Sequence, residues 1–141
     1  FGRVAESVAF AREHKLFLAA FNHLIPFPGT PLYRRLEQEG RLLKPKWWLD
    51  PESRVGDVTF RPRHMEPKEL EALCLEARRR FYDWGSIWQR LKDRRSNAAN
   101  WLIAGVYLGL NISAHYDIDL RQGLQLGAGR MERDVAEPLP V

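Results

Sequence analysis

Few side chains in this sequence are of types that do covalent or redox chemistry. Cys74 is the single cysteine among 141 residues, so the chain can form no internal disulfide and no cysteine-based zinc or iron–sulfur site of its own. A reducing compartment, the cytoplasm, fits this usage. Cys74 also falls at an apolar position of a helical pattern, where a small buried residue is the plainest reading. The remaining candidates are polar, aromatic and cationic. Asn22 and His23 interrupt the apolar run "KLFLAAFNHLI". Trp47 and Trp48 are adjacent, so they cannot share one face of a regular element. The expectation is one core plug and one lid or surface contact. Arg61 and Arg63 flank Pro62 as candidates to hold an anionic group, weighed against pairing with Asp57 or Glu66. Arg78, Arg79 and Arg80 form a run that reads as a solvated helix face.

These groups must be positioned by the elements around them. Val4, Val8 and Ala11 mark one helical stripe in residues 2–14. From Leu16 to Ile25 the chain is nearly continuously apolar and ends at Pro26. This predicts a strand buried on both faces, as parallel strands covered by helices are. Helix then buried strand is half of a repeating α/β unit. Asn22 and Leu24 share one face of such a strand and His23 points to the other, where a hydrogen-bonded interior histidine is expected.

The corner "PFPGTP" is stiff. Pro26 cannot donate to a ladder, Gly29 alone enters φ > 0 freely, Thr30 stands at a helix N-cap and Pro31 at the first helical position. A helix over 31–39 follows, with Gly40 closing it. Residues 41–65 read as an irregular connector with a short strand at 58–60. From Glu66 a long helix places Leu70, Leu73, Ala77, Phe81 and Trp84 at helical spacing. Gly85-Ser86 is expected to break it, with Ser86 capping a second short helix. Residues 101–110 carry no charge but fall well short of the roughly 20 residues that span a bilayer, which predicts a buried or docking helix. Residues 117–141, rich in glycine and proline, predict a mobile tail.

The composition, 45% hydrophobic and 28% charged, is that of a globular chain rather than a disordered one. The net charge of +4 is concentrated in the middle of the chain, and a mixed-sign solvated surface is the plain reading of it. The first residue is phenylalanine. That predicts a processed chain or a fragment, and no signal or transit peptide is recognisable.

The ordered series "FNHLIPFPGTPLYRRLEQEGRLL", "WWLD" and "VTFRPRHMEPKELEALCLEARRRFYDWGSIWQRL" resembles the C-terminal part of radical S-adenosylmethionine (SAM) proteins, above all those whose longer chains begin with a cobalamin-binding domain. The likeness covers roughly residues 1–95. It implies an α/β fold in which residues 1–33 are the last helix and strand of a partial (β/α)6 barrel. Residues 34–65 would be a connector, residues 66–116 a mainly helical C-terminal extension, and residues 117–141 the tail. It implies a [4Fe–4S] cluster, held by a C-x-x-x-C-x-x-C loop that this sequence lacks. The cluster reductively cleaves SAM to a 5′-deoxyadenosyl radical, which abstracts hydrogen from a small-molecule substrate. Cobalamin would be a further cofactor. The resemblance maps the SAM wall onto Asn22, Leu24, Ile25 and Pro26, and a substrate-facing role onto Trp47, Trp48 and Arg61. His23 and Ile25 depart from the family, which usually has an apolar residue and a threonine there. By this reading the chain alone is inactive, partners the N-terminal part of its own protein, and exposes its lone strand, so it should self-associate when made by itself. The alternative is a helical module that binds protein, or nucleic acid through Arg78–Arg80, Arg90, Lys92, Arg94 and Arg95. Nucleic acid and membrane are the less expected partners.

Overall fold

The computed structural model describes residues 2–125. Five α-helices follow one another: α1 (Gly2–Glu13), α2 (Pro31–Gln38), α3 (Pro67–Phe81), α4 (Trp84–Leu91) and α5 (Trp101–Arg121), with a 3-10 turn at Trp47–Leu49. Of the described residues, 54% are helical and 3% stand in bridges. Its only pairings among the described residues are two isolated antiparallel bridges, Leu42 with Phe60 and Arg54 with Gln125.

This corrects the expected α/β architecture. Among the described residues there is no sheet, and hence no end of a (β/α)6 barrel. The segment expected as a doubly buried strand, residues 16–25, has no strand beside it. Its burial nonetheless alternates: Phe17, Ala19, Phe21 and His23 are half-buried, while Leu16, Leu18, Ala20, Asn22 and Leu24 are exposed. The backbone of a strand needs a neighbour to take its N–H and C=O groups. Here side chains from the helices take that place along one edge. The Tyr82 hydroxyl accepts from Ala19 N (3.4 Å) and donates to Ala19 O (3.0 Å). Arg90 donates to the carbonyls of Leu16 and Phe17, Asn111 to that of Phe17, and Asn97 to that of Lys15. The run expected as a doubly buried strand is instead an unpaired segment with only one of its faces covered by helices.

Arg90 is the centre of this clamp. Its guanidinium is fully buried, lies 3.8 Å from the centroid of the Phe81 ring, and also donates to Phe81 O (3.0 Å), Asn111 Oδ1 (2.9 Å) and Ser86 Oγ (3.3 Å). Carbonyl dipoles, not a carboxylate, compensate the charge, and burial pushes its pKa below the ordinary arginine value. Around it Val8, Ala11, Ala77, Phe81, Tyr82 and Ile118 form the main core, which ties α1, α3 and α5 together. A second cluster, Leu36, Val58 and Phe60, seats α2 on the connector. Val58 and Phe60, expected in a strand, reach this cluster with their side chains, and the isolated Leu42–Phe60 bridge is the only ladder pairing of the stretch among the described residues.

Local signals set the helix ends. Thr30 Oγ1 accepts from Tyr33 N at 3.3 Å with Pro31 at the first helical position, as expected. Gly40 (φ 63°) closes α2, with Gly40 N donating to Glu37 O (3.0 Å) and Arg41 N to Leu36 O (2.8 Å), a Schellman arrangement. The break between α3 and α4 falls two residues before the expected Gly85-Ser86. The Asp83 carboxylate accepts from Ser86 N at 3.0 Å and caps α4, so Gly85 and Ser86 lie inside that helix. A carboxylate at an N-cap satisfies a free N–H and meets the positive helix end together. The helix α5 runs on to Arg121, and Val55 N donates to Leu124 O at 2.8 Å. Residues 117–125 therefore sit on the fold, and the rest of the expected tail lies outside the described residues. Among the described residues no helix is long and apolar enough to cross a membrane.

Candidate functional site

The rigid corner gathers most of the site candidates. Pro26 is buried, and its carbonyl accepts from Trp47 Nε1 at 3.2 Å. Trp47 packs edge-on against Phe27 (centroids 5.7 Å apart) and against Trp48 (5.8 Å). Tyr33 lies 6.4 Å from Trp48 and donates from its hydroxyl to Pro45 O at 2.8 Å. Adjacent tryptophans thus divide as expected: Trp47 is half-buried as the plug and Trp48 stays exposed beside Tyr33.

Behind Trp47 is a cavity of about 140 Å³, lined by His23, Ile25, Ser53, Asp57 and Thr59 among others. Gly56 (φ 98°) shapes its rim. A Cβ there would stand 2.5 Å from Gln122 Nε2 and would strain the backbone as well. Asp57 Oδ2 accepts from Arg54 N at 2.9 Å, which closes the turn, and Glu71 Oε1 takes Val58 N at 2.8 Å. The Lys44 ammonium bridges Asp50 (2.9 Å) and Asp57 (4.0 Å). The Asp50 carboxyl is held below its ordinary value first by Lys44 and least by Ser53. The buried Ser53 hydroxyl nevertheless has no well-formed hydrogen bond. Burial lowers the His23 pKa, opposed in part by a hydrogen bond to the Asp57 backbone and by the Glu71 charge, so the ring is a neutral donor–acceptor at pH 7. His23 is thus half-buried and lines the cavity, so the expected interior position is met only in part.

The four residues mapped to SAM do not converge. Asn22 and Leu24 lie on the exposed face of the extended segment, and the Asn22 side chain makes no hydrogen bond among the described residues. Ile25 turns into the cavity beside Trp47, and Pro26 lies beneath it. Ligand pockets commonly enclose about 300–1,000 Å³, so the corner cavity is too small for SAM. A groove of about 560 Å³ is nearer that size. It is open and runs between α1 and the extended segment, lined by Arg3, Glu6, Phe10, Leu16, Ala19 and Phe21 among others. Arg61 is remote from these residues in role. Its backbone exchanges with Arg41 (Arg61 N to Arg41 O, 2.8 Å; Arg41 Nε to Arg61 O, 2.8 Å), and its side chain is exposed. Arg63 pairs with Glu39 at 3.1 Å, not with the expected Asp57 or Glu66.

Among the described residues no group of three His, Cys, Asp or Glu side chains is placed to hold a metal. Cys74 is buried in α3, and burial raises its thiol pKa. A single cysteine does not suit a [4Fe–4S] cluster, which needs several thiolates. The arginine run is tied down within the fold: Arg78 to Cys74 O and Gln122, Arg79 to Asp119 at 2.7 Å, and Arg80 to Glu76 at 2.5 Å. Sequence reasoning missed the clamp made by Tyr82, Arg90, Asn97 and Asn111. The spacing of Arg90, three after Ile87 on the inward stripe of α4, was the available signal.

No curated protein and no solved structure matches the chain. One family does, described as a domain of unknown function (DUF4070), over residues 30–112. That span begins at the Thr30 cap and ends within α5, so it holds α2, the connector and α3–α4 but neither Asn22 to Pro26 nor the rest of the corner before Thr30. It covers more than half of the sequence, and the chain belongs to the DUF4070 family.

Proposed function

We propose that this chain serves a radical SAM enzyme as a C-terminal module that walls the space around SAM and substrate. The observation that carries the proposal is the outer face of residues 16–25. It is extended and uncharged, its even-numbered side chains are exposed, and the backbone groups of Leu18, Ala20, Asn22 and Leu24 bond to nothing among the described residues. Such an edge is a ready template for pairing with another chain, which suits contact with the catalytic part of an enzyme. The family adds support, because DUF4070 is a domain often found in cobalamin-binding radical SAM proteins.

The residues present fit SAM in part. Asn22 offers a free amide to the edge of an adenine, and Leu24 offers it an apolar surface. They do not fit the iron–sulfur cluster, whose thiolates must come from outside these 141 residues, nor do they identify a cobalamin site. When bound and reductively cleaved, SAM supplies the radical that removes hydrogen from substrate. This chain's contribution is shielding. Leu18, Leu24 and the Trp47–Trp48 pair exclude water, and the Trp47-to-Pro26 hydrogen bond holds the corner in place.

The test is to determine the complete reading frame that contains these residues, express the whole protein without oxygen, and assay 5′-deoxyadenosine formed from SAM under a reductant. A C-x-x-x-C-x-x-C motif and turnover are expected. Asn22→Ala and Leu24→Asp should weaken SAM binding while leaving cluster absorbance intact. A frame without such a motif ends the enzyme reading and leaves the interaction module.

A further inference from the structure

We infer that the outer face of the α4–α5 hairpin docks on an anionic lipid surface. On α5, Leu102, Val106 and Leu110 recur every fourth residue and are all exposed, beside Trp101, which is 85% exposed. The opposite side of the helix is spent on Tyr107, Asn111 and Ile118 in the core. On α4, Trp84, Trp88 and Lys92 repeat at the same interval on its exposed side. Monomeric proteins seldom leave so large an apolar strip uncovered without a use for it.

Charge selects the occupant. From residue 96 to residue 116 there is no Asp, Glu, Lys or Arg. At the hairpin's closed end, Lys92, Arg94 and Arg95 are exposed and make no ion pair among the described residues. The nearby Asp93 is committed to the turn, accepting from Arg95 N (3.0 Å) and the Ser96 hydroxyl (2.7 Å). Trp88, Leu91, Lys92, Arg94 and Ala98 line an open groove of about 520 Å³ at this end. Tryptophan beside lysine and arginine, next to an apolar helix face, is the composition that settles at a membrane interface. Helix α5 would lie in the plane of the surface, since it cannot span it. A second copy of the chain is the competing occupant, because Gly105 and Gly109 present a flat strip with nothing within 4 Å. A second copy, however, would bring three more cations to a face whose acids are already engaged, Asp93 in its turn and Asp117 with Arg121 at 3.0 Å. An anionic lipid surface answers both the apolar strip and the charge.

The full chain is to be sedimented with vesicles of phosphatidylcholine, and with vesicles of phosphatidylcholine mixed with phosphatidylglycerol, while tryptophan emission is followed. Binding to the anionic vesicles should be tighter by on the order of a hundredfold, fall with salt, and shift emission to the blue. The double variant Trp101→Glu/Leu102→Glu and the triple variant Lys92→Gln/Arg94→Gln/Arg95→Gln change only exposed side chains. Each should lower binding by at least about tenfold while melting like the parent by circular dichroism. Arg34→Gln/Arg35→Gln, exposed on α2 and outside the hairpin, should leave binding unchanged. Three results overturn the inference: no preference for anionic vesicles, equal loss with Arg34→Gln/Arg35→Gln, or a dimer that Trp101→Glu/Leu102→Glu splits in a chain that ignores vesicles.

Discussion

Replacing Arg90 removes every donor that ties Leu16, Phe17 and Phe81 carbonyls to α4, in a place that water does not reach. Asn111 still donates to the Phe17 carbonyl, but the Leu16 and Phe81 carbonyls and Asn111 Oδ1 lose a donor. Each buried acceptor left unpaired costs about 1–3 kcal/mol, so Arg90→Met should destabilise the fold by about 3–5 kcal/mol. Urea unfolding measures this, and a midpoint equal to the parent's would refute the clamp. Arg90→Lys should recover little, because an ammonium cannot reproduce the planar fork. His23 makes a different prediction. Its folded pKa lies below the unfolded value of 6.5, so the unfolded chain binds protons first as pH falls. Stability from this site is complete above about pH 6.5 and declines as pH drops through the folded pKa. His23→Gln should flatten that decline in urea midpoints taken between about pH 7.5 and 5.

The elements are closed by short-range devices whose quality varies. Lys15 ends α1 with φ 51°, its N–H on Arg12 O (3.1 Å) and that of Leu16 on Ala11 O (3.0 Å). This is the left-handed position that glycine occupies without cost, so Lys15→Gly should stabilise the chain by about 0.5–1 kcal/mol. Gly40→Ala, at φ 63° with open space around it, should lose about 1 kcal/mol by the same argument reversed. Thermal melts of the two variants should move in opposite directions. These closures were legible in the sequence at Thr30, Pro31 and Gly40, because each depends on neighbours within four residues. The α3–α4 break was misplaced because two caps competed there. Asp83 prevails over Ser86, since a charged acceptor at the helix start outweighs a hydroxyl.

At the scale of the molecule, α1, α3, α4 and α5 bury one edge and one face of residues 16–25 and leave the other open. Leu24 is 66% exposed and Leu18 44%, and from Leu16 to Tyr33 no Asp, Glu, Lys or Arg discourages pairing. Uncharged open edges recruit further strands. The isolated chain should therefore self-associate, and Leu18→Lys with Leu24→Lys should shift it towards monomer in analytical ultracentrifugation without lowering its melting temperature. A parent chain that sediments as a single monomer at high concentration would remove this account of the edge.

The sequence by itself determined where the chain turns, caps and changes period: the corner at residues 26–31, helix α2, the start of α3, the interior places of Val8, Ala11, Cys74 and Ala77, and the inward turn of His23. All of these follow from steric and hydrogen-bonding rules that act within a few residues. Whether the apolar run at residues 16–25 becomes a strand was decided only by tertiary structure, because a strand exists through a partner that its own residues do not specify. The same holds for Arg90, which has the composition of a surface cation and becomes a core residue because the extended segment and α3 converge carbonyls and an aromatic ring upon it. It holds also for residues 101–110, whose lack of charge suits burial or docking equally. The packing of α5 on Tyr107 and Asn111 leaves their outer stripe exposed.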